Sequence, residues 1–239
     1  MLIHTRGLQR KKQPQSPVSG IDWSNPLTKE FVDVYLPLSN AHPTLIRKYT
    51  GSTTTGVGIL GKTIASGSGV LLASDGDELF PSTTDATIFV IRRSTDTVAR
   101  ASNLFGYDGG GADRVLCHAP YSDGVMYFDF GTADGTNRLA VGFTKSTDVD
   151  YLVFVAGGGK GREIWRNGVK IAGDTTKNGS RAATTMTFSV GGSDLEEIYL
   201  FGTAKRAWSD PEIESWFDKP WQIFERSTRR VFIGSSGTP

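Results

Sequence analysis

The chain has 239 residues, 26 Lys and Arg against 25 Asp and Glu, a net charge of +1, 29 glycines and one cysteine. That length suits one large all-β domain or two small ones, and is enough to bury roughly 70% of the surface the unfolded chain exposes. A lone cysteine excludes an internal disulfide, and no window reaches the apolar length of a membrane-spanning helix.

Charge is unevenly spread. Residues 1–20 hold Arg6, Arg10, Lys11 and Lys12 and no acid, so this end carries +4 and leaves −3 on the rest of the chain. A basic end on a mildly acidic body reads as a segment that touches another surface. Pro14 and Pro17 forbid a helix there, and the segment lacks the apolar surface to fold by itself. Residues 1–27 are therefore predicted to be an extended basic arm. No apolar stretch follows the basic residues before Phe31, so the start is not a secretory signal, and synthesis in a cytoplasm without export is expected.

Beyond the arm, strand patterns dominate. TIFVIR (87–92) is apolar on both faces, as in a sheet interior. RVLCHAP places Cys117 in a strand as a small core residue. Then follow VMYFDF (125–130), RLAVGFT (138–144) and YLVFVAG (151–157), rich in β-branched and aromatic residues and separated by turn residues. REIWRNGVKIA (162–172) is predicted to be a hairpin in which Asn167-Gly168 forms a two-residue turn with positive φ at both positions. TMTFSVG (185–191) and LEEIYLFG (195–202) complete the series. A single helix signal comes last. Ser209 is a good N-cap, Glu212 completes a capping box, and Asp210 and Pro211 suit the first turn. Ile213, Trp216 and Phe217 give that helix one apolar face, and Pro220 ends it. Many strands without intervening helices predict an antiparallel sandwich or barrel.

The run from Leu195 through Glu197, Ile198, Tyr199, Arg206-Ala207 and Ser209-Asp210 to Glu212-Ile213 resembles the closing segment of laminin-G-like, concanavalin-A-like domains, with Trp208 where leucine is usual. IWRNGVKIA resembles the hairpin of that family, and FVDVYLPLS (31–39) its first strand. The resemblance covers about residues 28–224 and implies an all-β, antiparallel jelly-roll β-sandwich with one short C-terminal helix. Residues 225–239 would add a C-terminal strand and tail. RKKQPQSPVSGIDWSNPLT resembles the leader of virion proteins of tailed bacteriophages, in which a basic, proline-broken arm precedes a laminin-G-like domain.

Candidate chemistry is mostly excluded. GGGKGR (157–162) follows a strand, but a phosphate-binding loop would need glycine at Phe154, Ser or Thr at Gly161, and a helix next. Glucanases of this superfamily carry three acids on one strand face. Here DLEE (194–197) puts Glu196 and Glu197 on opposite faces, and a glycine turn separates Asp129 from Asp134. Cys117 and His118 likewise point apart, which excludes a nucleophile–base pair. His4, His42 and His118 lack metal-ligand spacing, and SDGDE (74–78) lacks the calcium-loop pattern. No enzyme activity, cofactor or metal is expected. Tyr107, Asp108, Tyr121 and Trp165 are the candidate sugar-binding residues, offering ring faces and polar edges. The acidic body disfavours nucleic acid.

The resemblance implies a phage virion structural protein, a lectin-like sandwich on a capsid or tail. Arg6, Arg10, Lys11 and Lys12 would anchor it to other virion proteins, in a homo-oligomer with a trimer favoured. A carbohydrate-binding adhesin of a tail fibre, with a glycan as partner, is the second reading, and a polysaccharide hydrolase the third.

Overall fold

The computed structural model describes residues 20–35, 55–58, 61–64, 70–72, 85–101, 103–108, 114–132, 137–179, 188–190 and 196–224. The expectations for Arg6, Arg10, Lys11, Lys12, His4, His42, SDGDE, Asp134 and residues 225–239 lie outside them.

Among the described residues the strands are β1 (Phe31–Tyr35), β2 (Thr55–Gly58), β3 (Gly61–Ile64), β4 (Val70–Leu72), β5 (Ala86–Ser94), β6 (Phe105–Asp108) and β7 (Arg114–His118). They continue with β8 (Val125–Gly131), β9 (Arg138–Gly142), β10 (Val149–Ala156), β11 (Arg162–Arg166), β12 (Val169–Asp174), β13 (Phe188–Val190) and β14 (Glu196–Ala204). One α-helix, α1 (Asp210–Asp218), follows. An eight-stranded sheet runs β12-β11-β10-β5-β14-β3-β2, with β1 also paired to β14; a six-stranded sheet runs β4-β13-β6-β7-β8-β9. The pairings are antiparallel, and the fold is the expected β-sandwich.

Strand alternation builds two cores from one sheet. Ile88, Val90, Leu152, Phe154, Ile164, Ile198 and Phe201 point inward and meet Phe105, Val115, Cys117, Met126, Phe128 and Phe130 of the six-stranded sheet. On the opposite face of the eight-stranded sheet, Phe89, Ile91, Tyr151, Val153, Trp165 and Leu200 lie under Ile213, Trp216 and Phe217 of α1. This cover explains why TIFVIR is apolar on both sides. In β14 the register shifts between Ile198 and Leu200. The bulge turns both Tyr199 and Leu200 towards the helix and returns Phe201 to the inter-sheet core.

Local signals place α1 as read. The Ser209–Glu212 capping box forms, with Glu212 Oε2 accepting from the Ser209 N–H at 2.8 Å. Trp208, where leucine is usual in the resembled family, stacks on Phe89 with ring centroids 5.2 Å apart. Gly202, opposite Phe89 in β14, makes room for that ring, because a Cβ there would lie 2.1 Å from Phe89 Cζ. In the β11–β12 hairpin, Asn167 (φ 52°) and Gly168 (φ 86°) both take positive φ, as the turn requires.

Residues 21–28, most of which the arm expected over residues 1–27 would include, pack against the sandwich. Ile21 and Leu27 are buried in the second core, and Ile21 forms a β-bridge with Phe224. Asp22 N–H donates to Ile223 O at 2.9 Å, Asn25 Nδ2 to Gln222 O at 3.1 Å, and the Thr28 hydroxyl to Asp22 O at 2.9 Å. Residues 21–28 thus form a clasp against residues 222–224, on the helix side of the molecule. Asp22, Asn25 and Thr28 act through local hydrogen bonds, which hydrophobic patterning does not register.

Candidate functional site

The outer face of the six-stranded sheet carries the candidate site. Cys117 and Phe128 face the core, so their strand neighbours His118 and Tyr127 face outward, directly opposite each other. A tight turn follows β7: Gly124 N–H donates to Tyr121 O at 2.9 Å, Tyr121 N–H to Val125 O at 2.8 Å, and Val125 N–H to Asp123 Oδ1 at 2.9 Å. The turn swings Tyr121 back over the strand pair. His118 and Tyr121 meet edge-to-face at 4.8 Å, His118 and Tyr127 at 6.3 Å, and Tyr121 and Tyr127 at 6.1 Å. All three rings are half-exposed, and among the described residues they form an aromatic group outside both cores.

Polar groups frame the rings. The Tyr127 hydroxyl donates to Asp123 Oδ2 at 2.6 Å. That bond holds the Asp123 carboxyl below its ordinary range and pushes the Tyr127 phenol up. The Arg138 guanidinium lies over the Tyr127 ring, 4.8 Å from its centroid, while donating twice to the fully buried Asp129, at 2.7 and 2.8 Å. Arg114 Nε lies 3.2 Å from the same carboxylate. The face therefore combines stacking surfaces with acceptors on Asp123 and Tyr127 and fixed guanidinium groups.

Of the sequence-predicted sugar residues whose side chains are described, Tyr121 falls in this group and Trp165 does not. Trp165 belongs to the second core on the other sheet, with its indole N–H donating to Glu163 at 3.0 Å and the Lys170 ammonium 4.9 Å over its ring. In β6 the Tyr107 backbone lies opposite Val115 and the Asp108 backbone opposite Arg114; their side chains are outside the described part. Sequence reading missed His118, Asp123, Tyr127 and Arg138. The alternation that buries Cys117 and Phe128 already places His118 and Tyr127 outward; the Asp123-Gly124 turn that brings Tyr121 to them is the further signal.

Other polar clusters serve the fold. Between the sheets, Arg92 Nη1 donates to Glu196 at 2.9 Å and to Ala119 O at 2.8 Å, while Nη2 reaches Asp150 at 3.3 Å. Lys145 reaches Asp96 at 3.2 Å and Glu196 at 3.6 Å, and Arg166 reaches Asp150 at 2.7 Å. An open groove of about 480 Å³ runs beside β12, lined by Lys160, Glu163, Lys170 and Asp174 among others. Its charges engage one another: Lys170 bonds Glu163 at 2.6 Å, and Lys160 bonds both Glu163 and Asp210, tying α1 to the β11–β12 edge. The Gly157, Gly158, Gly159 and Gly161 backbones all take positive φ in the loop before β11, so this glycine-rich stretch is a strand connection. Among the described residues no group of three or more His, Cys, Asp or Glu side chains could hold a metal ion, and no helix is long and apolar enough to cross a membrane.

No protein-family model matches the chain, and no curated protein matches it in sequence. Solved structures do share its fold. The botulinum neurotoxin serotype D binding domain is 8% identical, with a TM-score of 0.62 over 80% of this chain, which spans 51% of that domain. Domain 4 of an extracellular arabinanase from Geobacillus stearothermophilus, solved in complex with arabinotriose, is 13% identical, with a TM-score of 0.61 over 78% of this chain and 97% of that one. Trypanosoma rangeli sialidase is 13% identical, with a TM-score of 0.57 over 82% of this chain and 34% of its own. The chain thus spans about half of the neurotoxin domain and nearly the whole arabinanase domain. These likenesses show a shared fold, the two-sheet β-sandwich.

Proposed function

We propose that the protein is a glycan-binding sandwich module without catalytic activity, and that His118, Tyr121 and Tyr127 form its sugar-stacking face. The observation that carries this reading is the half-exposed ring group with Asp123 and Arg138 at its rim, in a molecule whose other packed rings mostly fill two cores. Sugars are bound by aromatic faces against their C–H surfaces and by planar polar groups at their hydroxyls, and this site offers both. The arabinanase domain supports the reading, since the likeness extends over a whole domain seen with an oligosaccharide. Absence of catalysis is supported by the buried carboxylates. Asp129, Asp150, Glu163 and Glu196 each lie against arginine or lysine, as structural ion pairs do, not as an acid and a nucleophile sharing a cleft. Titration of arabino- and galacto-oligosaccharides into the purified protein tests the reading. Binding that Tyr121→Ala abolishes, without change in melting temperature, is expected; a chain that binds no glycan overturns it.

We propose further that the module is carried on a virion through its basic N-terminal segment. The motif IDWSNPLT, which resembles a phage leader and directly follows the basic segment in the sequence, forms the clasp, and this supports the reading. Deleting residues 1–19 should abolish incorporation into particles, and replacing Arg10, Lys11 and Lys12 by Gln should give a milder, salt-sensitive loss. Normal incorporation of the truncated chain would dismiss the anchor.

A further inference from the structure

We propose that Asp123 and Tyr127 select neutral glycans that present a free vicinal diol, and reject sugars that carry a carboxylate or sulfate. The inference rests on the glycan-binding reading above and concerns what the ring face accepts. The Tyr127 hydroxyl proton is directed at Asp123 Oδ2, at 2.6 Å, so its oxygen meets a ligand with lone pairs. Asp123 Oδ1 accepts from Val125 N–H at 2.9 Å, and each carboxylate oxygen keeps a second lone pair. Asp123 is exposed; it accepts from Val125 N–H and the Tyr127 hydroxyl and feels the field of His118, with no arginine or lysine partner among the described residues. The rim therefore offers a row of acceptors on an exposed carboxylate that pairs with no arginine or lysine among the described residues. Two adjacent hydroxyls on a pyranose or furanose ring are the donors that fit such a row, and a hydrogen bond to an ionised acceptor is about twice as strong as a neutral one.

The arginines do not reverse this preference. Arg138 spends Nε and Nη2 on Asp129, and Arg114 Nε is drawn towards the same buried carboxylate. Arg138 lies over one face of the Tyr127 ring, so its charge is shared between that ring and Asp129. A ligand carboxylate seated on Tyr121 and Tyr127 would meet Asp123 first, and like charges placed together oppose binding.

The test uses the full chain and paired probes: arabinotriose and lactose as neutral glycans, and 3′-sialyllactose and a 3-sulfated lactose as their anionic counterparts, measured by calorimetry. Neutral probes are expected to bind at least about tenfold more tightly than the anionic ones. Asp123→Asn keeps an acceptor for Val125 N–H but removes the charge, and should lower affinity for the neutral probes by about tenfold or more while leaving the melting temperature in place. Tyr127→Phe should weaken binding as well. Tighter binding of the sialylated or sulfated probe, or unchanged affinity in Asp123→Asn, would overturn the selection by Asp123 while leaving glycan binding intact. A chain that binds none of the four probes would overturn the glycan reading and this inference together.

Discussion

Arg92 has no accessible surface, and with Arg162 it sets a buried guanidinium beside the aliphatic and aromatic packing between the sheets. Burial opposes its charge, and Glu196 and Asp150 outweigh burial, so its pKa lies above the ordinary arginine value. Removing one partner of a buried ion pair leaves an uncompensated charge, so Arg92→Ala should destabilise by about 3–5 kcal/mol, read from the midpoint of denaturant unfolding. A midpoint within experimental error of the wild type would show that the cluster is solvated. Gly202 makes a different demand, since its missing Cβ is the space that Phe89 occupies. Gly202→Ala should cost about 1–3 kcal/mol by forcing that ring off its rotamer, whereas Gly173→Ala, whose Cβ would make only ordinary contacts, should be mild. Gly168 at φ 86° disfavours any β-branched replacement for conformational reasons alone, so Gly168→Val should also lower the unfolding midpoint.

At the scale of elements, α1 is a lid over the second core rather than an appendage. Trp216 is fully buried against Phe89, Tyr151 and Trp208, so Trp216→Ala should cost roughly 3–5 kcal/mol, against about 1 kcal/mol for Ser209→Ala at the cap. Equal, negligible shifts for the two variants would show that the helix does not dock. Its first turn is also latched by charge. The Lys160 ammonium holds the Asp210 carboxyl below the usual carboxylate range, with burial opposing and Lys170 assisting. A depressed folded pKa contributes stability that is present above the unfolded value of about 3.9 and is lost as pH falls through the folded value. Acid titration followed by tryptophan fluorescence should show this component, and Asp210→Asn should lack it. The helix, its caps and the Asn-Gly hairpin were legible because each rests on local chemistry at fixed spacing. The bulge at Tyr199 and Leu200 was not, because both residues are apolar and either face of β14 would accept them; the covering helix decides which face they take.

For the whole molecule, the two-sheet architecture was readable from strand patterning, but the packing of residues 21–28 was not. Ile21 and Leu27 look like isolated apolar residues among polar ones, and only the distant Phe224 and Ile223 give them a reason to be buried. Deleting residues 1–19 should leave the melting temperature nearly unchanged, while deleting 1–27 strips two side chains from the second core and should lower it sharply, each worth about 2–5 kcal/mol. Equal melting temperatures for the two truncations would show that the clasp contributes nothing. Of the site, Tyr121 was legible and its companions were not. Ring groups assemble across strands and turns, and residue type alone does not separate Tyr121 from Trp165, which the covering layer withdraws from the surface.

The clasp lies on the helix side of the eight-stranded sheet, and the ring group lies on the outer face of the six-stranded sheet, with the full thickness of the sandwich between them. If the module is held on its clasp side, as the proposed anchor implies, its rings point away from whatever holds it. When many copies are mounted on one body, their rings face outward together, and the second and later contacts with a sugar-coated surface occur at a high effective concentration. On the glycan-binding reading proposed above, weak binding at each site would then suffice for durable adhesion. Beads coated with the domain at rising density should pass abruptly from no retention to firm retention on a glycan surface, at densities where neighbouring copies reach adjacent chains, and Tyr121→Ala beads should show no such threshold.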